Sequence, residues 1–146
     1  MLKYLFLDID GVLNCSTTKN RIVPGGAIIG VDPYKVLLLN RIIEATGAKI
    51  VLSSSWRHYP SLEEHLSEFT IPYIAKTGDS PCRTRGCEIR DWLEKNHPTR
   101  KERDELRCAI LDDDTDFLYG QALFKTSWKE GLTEQIAGRV IKYLNQ

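Results

Sequence analysis

Residues 4–11 read YLFLDIDG, a short run of apolar side chains that ends in two aspartates and a glycine. A continuous apolar run of this length predicts a strand that is buried on both faces, as strands are in the middle of a parallel sheet. The polar residues that follow it therefore mark the carboxyl end of a central strand. In an open α/β sheet, ligands bind at that edge.

Apolar runs and segments of helical periodicity alternate along the rest of the chain. Further strands are predicted at residues 49–53, 72–75, 108–111 and, as an edge strand, 122–124. Helices are predicted from Asp32-Pro33 to Gly47, from a capping box at Ser61–Glu64 to about Phe69, from Gly86 to Asn96, and after the N-cap Thr133. Residues 14–31 read as a loop or small hairpin. This alternation predicts an α/β three-layer sandwich, a parallel sheet with helices on both faces.

Length and charge narrow the classes of function. The 146 residues predict a single domain spanning 1–146, and the net charge of zero argues against a strongly basic nucleic-acid footprint, although a local patch is compatible with it. No apolar run approaches the about 18 residues of a membrane span, and the N-terminus does not resemble a signal peptide. We therefore expect a cytoplasmic protein with four free thiols, at Cys15, Cys82, Cys87 and Cys108.

Three predicted strands end in polar residues of a particular kind. The first ends in Asp8 and Asp10, the second in the sequence SSSWR of residues 53–57, and a later one in Asp112-Asp113-Asp114. Carboxylates held this close repel one another unless a hard cation binds them through oxygen. A serine hydroxyl and a guanidinium beside that cation make a site suited to phosphate. Each cluster alone is an ordinary turn or polar loop, and only their conjunction at one sheet edge indicates function.

The same residues resemble the motifs of the haloacid dehalogenase (HAD) superfamily. Residues 7–14 (LDIDGVLN) resemble its first motif, Ser53 its second and residues 110–114 (ILDDD) its fourth, while Arg85 stands where most members have lysine. The finer pattern SSSWR, RGxEIxxWL, LDDD and GLT resembles the HAD domain of Swiss Army Knife RNA repair proteins. The resemblance covers the chain from Lys3 to about Asp116.

The resemblance implies a role for each matching residue. Asp8 would be the nucleophile, and Asp10 the general acid and base that phosphatases of the superfamily have and its dehalogenases lack. Mg²⁺ would be held by Asp8, the backbone carbonyl of Asp10 and one acid of the Asp112–Asp113 pair, with Asp113 favoured as the direct ligand. Asp114 and Asp116 are expected farther from the ion. The substrate phosphate would be bound by Ser53, with Ser54 as the alternative, and by Arg85 as the third-motif cation. Arg57, Lys76 and Arg83 remain alternatives to Arg85, and Arg57 would otherwise be a second phosphate contact or a surface ion pair.

The spacing between motifs predicts the absence of a cap domain. The interval from Asp10 to Ser53 has room for a loop and one helix, and that from Ser54 to Arg85 for a short helix and a strand. An open site of this kind favours a large phosphorylated substrate, such as a nucleic-acid end or a protein, which covers the site itself.

Two alternative functions remain. A non-enzymatic phospho-receiver also places a phosphorylated aspartate and an acidic pair at a sheet edge, but it does not need an acid at the position of Asp10. An inactive HAD scaffold would be used for binding alone, but this sequence retains every catalytic residue type. The oligomeric state is left open.

Overall fold

The computed structural model describes residues 1–19, 21–22, 28–59, 64 and 66–146. Its strands are β1 (Leu2–Leu7), β2 (Arg21–Ile22), β3 (Ile28–Ile29), β4 (Lys49–Leu52), β5 (Tyr73–Lys76), β6 (Leu106–Asp112) and β7 (Leu123–Lys125). Its helices are α1 (Pro33–Thr46), α2 (Arg85–Asn96), α3 (Arg100–Asp104) and α4 (Glu134–Leu144), with a short 3-10 helix at Ser55–His58.

Five parallel strands form the central sheet, in the order β5-β4-β1-β6-β7. The first strand is in the middle, as its apolar run predicts, and Leu5, Phe6 and Leu7 are fully buried. Leu5 and Leu7 belong to the core that includes apolar residues of α1 and α4, whereas Phe6 packs with residues of α2 on the other face. The predicted α/β three-layer architecture is therefore confirmed.

The helix boundaries follow the predicted capping residues. The Asp32 carboxylate accepts a hydrogen bond from the Tyr34 amide, and Gly47 ends α1 in the left-handed conformation that glycine adopts without strain. Thr133 caps α4, and α2 begins at Arg85 behind the N-cap Thr84, one residue earlier than predicted. These local signals were sufficient because each cap is satisfied within its own turn.

Several expectations need correction or lie outside the described residues. Cys82 and Cys87 are joined in a disulfide, with a Cα–Cα separation of 6.4 Å, so the expectation of four free thiols is wrong for this pair. Free thiols were expected because no secretion signal was recognised, but the turn at Cys82 and the first turn of α2 bring the two cysteines together. Helix α3 was not predicted. The predicted start of a helix at Ser61 lies outside the described residues, although 66–68 are helical.

The segment between β1 and α1 is small. Within it, β2 and β3 form an antiparallel pair, which agrees with the predicted small hairpin. None of the described residues forms a cap domain over the carboxyl edge of the sheet. Across the same described ranges, no helix is long and apolar enough to span a membrane.

Candidate active site

Three predicted site residues lie next to one another at the carboxyl ends of β1, β4 and β6. They are Asp8, Ser53 and Asp112. Leu7 is in register with Leu52 on one side and Leu111 on the other. One residue later, the Ser53 amide donates to the Leu7 carbonyl at 2.9 Å and the Asp8 amide donates to the Leu111 carbonyl at 3.0 Å. The parallel register therefore places residues that are far apart in sequence on one edge.

Three aspartates form a compact acidic cluster at this edge. Carboxylate oxygens of Asp8, Asp112 and Asp113 all lie within 4.8 Å of one another. Gly11, at a φ of 79°, makes room for this cluster, because a Cβ at this position would overlap the Asp113 carboxylate. An all-oxygen set of this charge is the type of site that Mg²⁺ prefers, so the residues fit the ion that the sequence predicts.

Burial and mutual repulsion make the cluster electrostatically demanding. Burial and, after it, the charge of Asp112 raise the pKa of Asp8 to about 7, while Arg85 acts in the opposite direction. Burial likewise raises the pKa of Asp112. A second cation beside Arg85 would relieve this cost, since a nearby positive charge favours ionised carboxylates. This is a second observation that fits a metal ion.

Arg85 is the basic side chain that the structure places against the cluster. A single guanidinium nitrogen, Nη1, lies 3.0 Å from Asp8 Oδ1 and 2.9 Å from Asp112 Oδ2. Burial alone would lower the pKa of Arg85, but the charges of the two aspartates outweigh burial and raise it. The Arg85 amide is held by Asp116 Oδ2 at 3.0 Å, so Asp116 anchors the start of α2. Arg85 is therefore fixed from both its backbone and its side chain.

Asp112 and Asp113, the first two acids of the fourth motif, differ in their hydrogen bonds. Asp112 is fully buried, and its two oxygens accept from Arg85 and from the Asp114 amide, both at 2.9 Å. No hydrogen bond among the described residues involves the Asp113 carboxylate. Asp113 therefore retains its carboxylate for another ligand, whereas Asp112 is already engaged.

The two serines after β4 also have different surroundings. Ser54 caps the 3-10 helix, where its hydroxyl accepts from the Trp56 amide at 3.2 Å. The Ser53 hydroxyl is buried, with 1% of the residue exposed, and has no partner among the described residues. A buried hydroxyl without a partner costs free energy, about 1–3 kcal/mol, unless a ligand supplies one. Ser53 is thus better placed than Ser54 to bind a phosphoryl oxygen.

Asp10 has two partners that the sequence analysis did not assign. Asn14 donates to its Oδ1 at 2.8 Å, and the Trp56 indole donates to its Oδ2 at 3.0 Å. Both partners lie within stretches that the motifs already contain, DIDGVLN and SSSWR. The sequence signal that could have identified them is the presence of two hydrogen-bond donors, the Asn14 amide and the Trp56 indole, within these motifs.

The remaining candidate cations have other surroundings. The Arg57 guanidinium is buried and contacts the Ser54 carbonyl at 2.8 Å, Glu88 at 2.9 Å and Asp79 at 3.5 Å. Lys76 lines a groove beside α2, and Arg83 lies in the turn before that helix, at a φ of 57°. The contacts of Arg57 tie the loop after β4 to helix α2.

One comparison with known proteins gives a match. The sequence profile of the HAD domain in Swiss Army Knife RNA repair proteins matches residues 4–137, which include every site residue described above. No curated protein and no solved structure matches the chain significantly.

Proposed function

The chain belongs to the family of HAD domains in Swiss Army Knife RNA repair proteins, and we propose on this basis that it is a Mg²⁺-dependent phosphomonoester hydrolase. The observation that carries the proposal is the acidic cluster of Asp8, Asp112 and Asp113 beside Arg85, with Asp10 two residues after Asp8. A phospho-receiver has no need of the second acid. Asp10 therefore favours the enzyme.

The proposed first step is attack by Asp8 on the phosphorus atom. Oδ1 of Asp8 accepts from the Ile9 amide and from Arg85, whereas none of the described hydrogen bonds involves Oδ2, which is therefore the attacking oxygen. A bond forms between Oδ2 and phosphorus, and the bond from phosphorus to the leaving oxygen breaks. The electron pair stays on that oxygen, which takes a proton from Asp10.

The second step regenerates the carboxylate. Asp10 accepts a proton from water as the water oxygen attacks phosphorus, and the bond between phosphorus and Asp8 breaks to release inorganic phosphate. Ser53 and Arg85 bind phosphoryl oxygens throughout. Asp8, Asp113 and the Asp10 carbonyl would hold Mg²⁺, which supplies charge neutralisation at the phosphate when bound.

We further propose that the substrate is large, and that it is a phosphorylated nucleic-acid end rather than a phosphoprotein. None of the described residues caps the sheet edge, so a small ester would react in contact with bulk water. The function named for the matching family supports a nucleic-acid end. The zero net charge limits the affinity that a purely electrostatic footprint would supply.

A panel of phosphomonoesters tests this function. It contains oligoribonucleotides with a 5′- or a 3′-phosphate, phosphopeptides and small esters, each with Mg²⁺ and with EDTA. We expect Mg²⁺-dependent phosphate release, with a higher kcat/KM for an oligonucleotide end than for small esters. A protein that turns over none of the panel yet retains phosphate from acetyl phosphate would instead be a receiver.

A further inference from the structure

Asp10 is an exposed residue, yet both of its carboxylate oxygens accept hydrogen bonds from buried residues. Asn14 and Trp56 are each 3% exposed. Asn14 Nδ2 donates to Oδ1 at 2.8 Å, and Trp56 Nε1 donates to Oδ2 at 3.0 Å. An exposed aspartate ordinarily samples several rotamers, and two directional contacts, one to each carboxylate oxygen, limit that freedom. We call Asn14 and Trp56 together the Asp10 clamp.

The orientation of Asn14 is fixed by contacts on both ends of its amide. Its Oδ1 accepts from the Gly11 amide at 2.9 Å, and its Nδ2 also donates to the Gly30 carbonyl at 2.9 Å. The reversed amide would place its oxygen against two acceptors, Asp10 and the Gly30 carbonyl. The nitrogen therefore faces Asp10.

Trp56 supplies the second donor from the segment that follows a different strand, β4. It is part of the 3-10 helix after β4, where its backbone amide is bound by Ser54, and its ring packs in the core shared with α1 and α4. The contact joins residues 46 positions apart. Asp10 is consequently tied to the ends of two neighbouring strands, β1 and β4.

We propose that Asn14 and Trp56 are positioning residues that aim the acid/base Asp10 at the leaving oxygen and at the attacking water; this inference rests on the proposed phosphatase function. An indole N–H and an amide NH₂ donate but do not accept, so neither can take the proton of Asp10. The proton must leave from the side of the carboxyl that faces away from the clamp. In a protein whose described residues form no cap, the clamp supplies from the core the fixed geometry that proton transfer requires.

The kinetic test removes the indole N–H together with part of the buried ring system, so a control for lost packing is needed. Trp56→Phe retains an aromatic ring, and Trp92→Phe, on the opposite face of the sheet, is the matched control. We expect Trp56→Phe to lower kcat for an alkyl or ribose phosphate by roughly 10-fold with KM little changed, since a hydrogen bond to a charged group is lost. The loss should be smaller for p-nitrophenyl phosphate, whose leaving group needs little protonation. Equal losses for both substrates, or the same pattern in Trp92→Phe, would overturn the inference.

A spectroscopic test needs no turnover. In ¹H–¹⁵N spectra, the indole signal of Trp56 is identified by its loss in Trp56→Phe, or by sequential assignment if that variant does not fold. Asp10→Asn, a change at an exposed position, should shift this signal more than those of Trp92 and Trp128, because the charged acceptor becomes neutral. An unmoved Trp56 signal would overturn the clamp itself. A shifted signal in a protein that hydrolyses none of the phosphomonoesters would instead refute the phosphatase function, and with it the role of the clamp in proton transfer.

Discussion

Arg85 at the start of α2 and Arg57 in the 3-10 helix after β4 are both largely buried and paired with acids, yet they contact different parts of the molecule. Arg85 contacts Asp8 and Asp112, two members of the acidic cluster. Arg57 contacts Glu88 of α2 and the carbonyl of Ser54. The first arginine therefore faces the proposed chemistry, and the second joins a loop to a helix.

The number of nitrogen atoms that each arginine uses is also different. Arg85 reaches both of its carboxylates through Nη1 alone. Arg57 uses Nη1 for the Ser54 carbonyl and Nη2 for Glu88, which is a fork that a lysine ammonium does not reproduce. A lysine could also supply the single nitrogen that Arg85 uses, so these contacts are compatible with the expected place of Arg85 in the third motif. The buried contacts of Arg57 favour a structural role, and its part as a second phosphate contact stays a prediction.

The largest expected effect comes from removing the negative charge that Arg85 faces. Asp8→Asn preserves the shape of the side chain but removes the nucleophile, so phosphate release should fall by roughly 10⁴-fold or more, while the protein remains folded. Steady-state hydrolysis and circular dichroism measure the two properties. Substantial turnover in a folded Asp8→Asn protein would exclude a covalent step on this residue.

A smaller effect separates the acids of the fourth motif. Asp113→Asn should raise the Mg²⁺ concentration needed for half-maximal activity by at least about 10-fold, because it removes a charged oxygen ligand. Asp116→Asn is the matched control, since Asp116 binds the Arg85 amide. Titration of Mg²⁺ against activity decides the matter, and equal shifts in the two variants would show that the assignment of Asp113 is wrong.

Exchange of each arginine for lysine sharpens the comparison directly. Arg85→Lys should keep activity within about 10-fold, because one nitrogen makes both contacts. Arg57→Lys should reduce the free energy of unfolding by about 1–3 kcal/mol, since one buried partner loses its donor. Denaturant titration and the phosphatase assay are applied to both variants. The reverse pattern, an inactive Arg85→Lys and a fully stable Arg57→Lys, would contradict the roles given to the two residues.

The smallest effect is a pH dependence of the metal-free protein. Burial and Asp112 raise the pKa of Asp8 from 3.8 to about 7, so the folded state binds a proton that the unfolded state has released between these values. The contribution of Asp8 to stability is therefore present at low pH and lost as the pH rises through this range. In EDTA, the free energy of unfolding relative to Asp8→Asn should fall by about 1 kcal/mol or more between about pH 4 and about pH 8. A difference that is constant or increases with pH would contradict this electrostatic description.

The fold and the location of the site could be predicted from local sequence patterns. Apolar runs that end in polar residues gave the central strand and its neighbours, and parallel pairing then required Asp8, Ser53 and Asp112 to meet at one edge. The helices that follow a predicted capping residue begin where predicted, as those after Asp32 and Thr133 show. Helix α3 had the same kind of signal, a capping box at Thr99 and Glu102, but its five residues include no buried side chain that would produce an apolar periodicity.

The hydrogen-bond partners of the site residues could not be predicted from the sequence, because they depend on contacts between segments that are distant along the chain. Trp56 meets Asp10 only through the pairing of β4 with β1, and Arg57 meets Glu88 only after α2 has packed on the sheet. The different roles of Asp112 and Asp113 likewise depend on which of the two carboxylates accepts a hydrogen bond from Arg85. Sequence motifs identify residue types at the edge of the sheet, and three-dimensional packing decides which of their atoms remain available.

The central claim, that Asp8 accepts the phosphoryl group, is tested most directly by trapping that intermediate. Asp10→Asn should form it from p-nitrophenyl phosphate and hydrolyse it slowly, because water then lacks its base. After an acid quench, mass spectrometry of the digested protein should place one phosphoryl group, labile to hydroxylamine, on Asp8, together with a burst of p-nitrophenol near one equivalent. Phosphate found on another residue, or a burst that persists when Asp8→Asn is added to the same protein, would contradict the account.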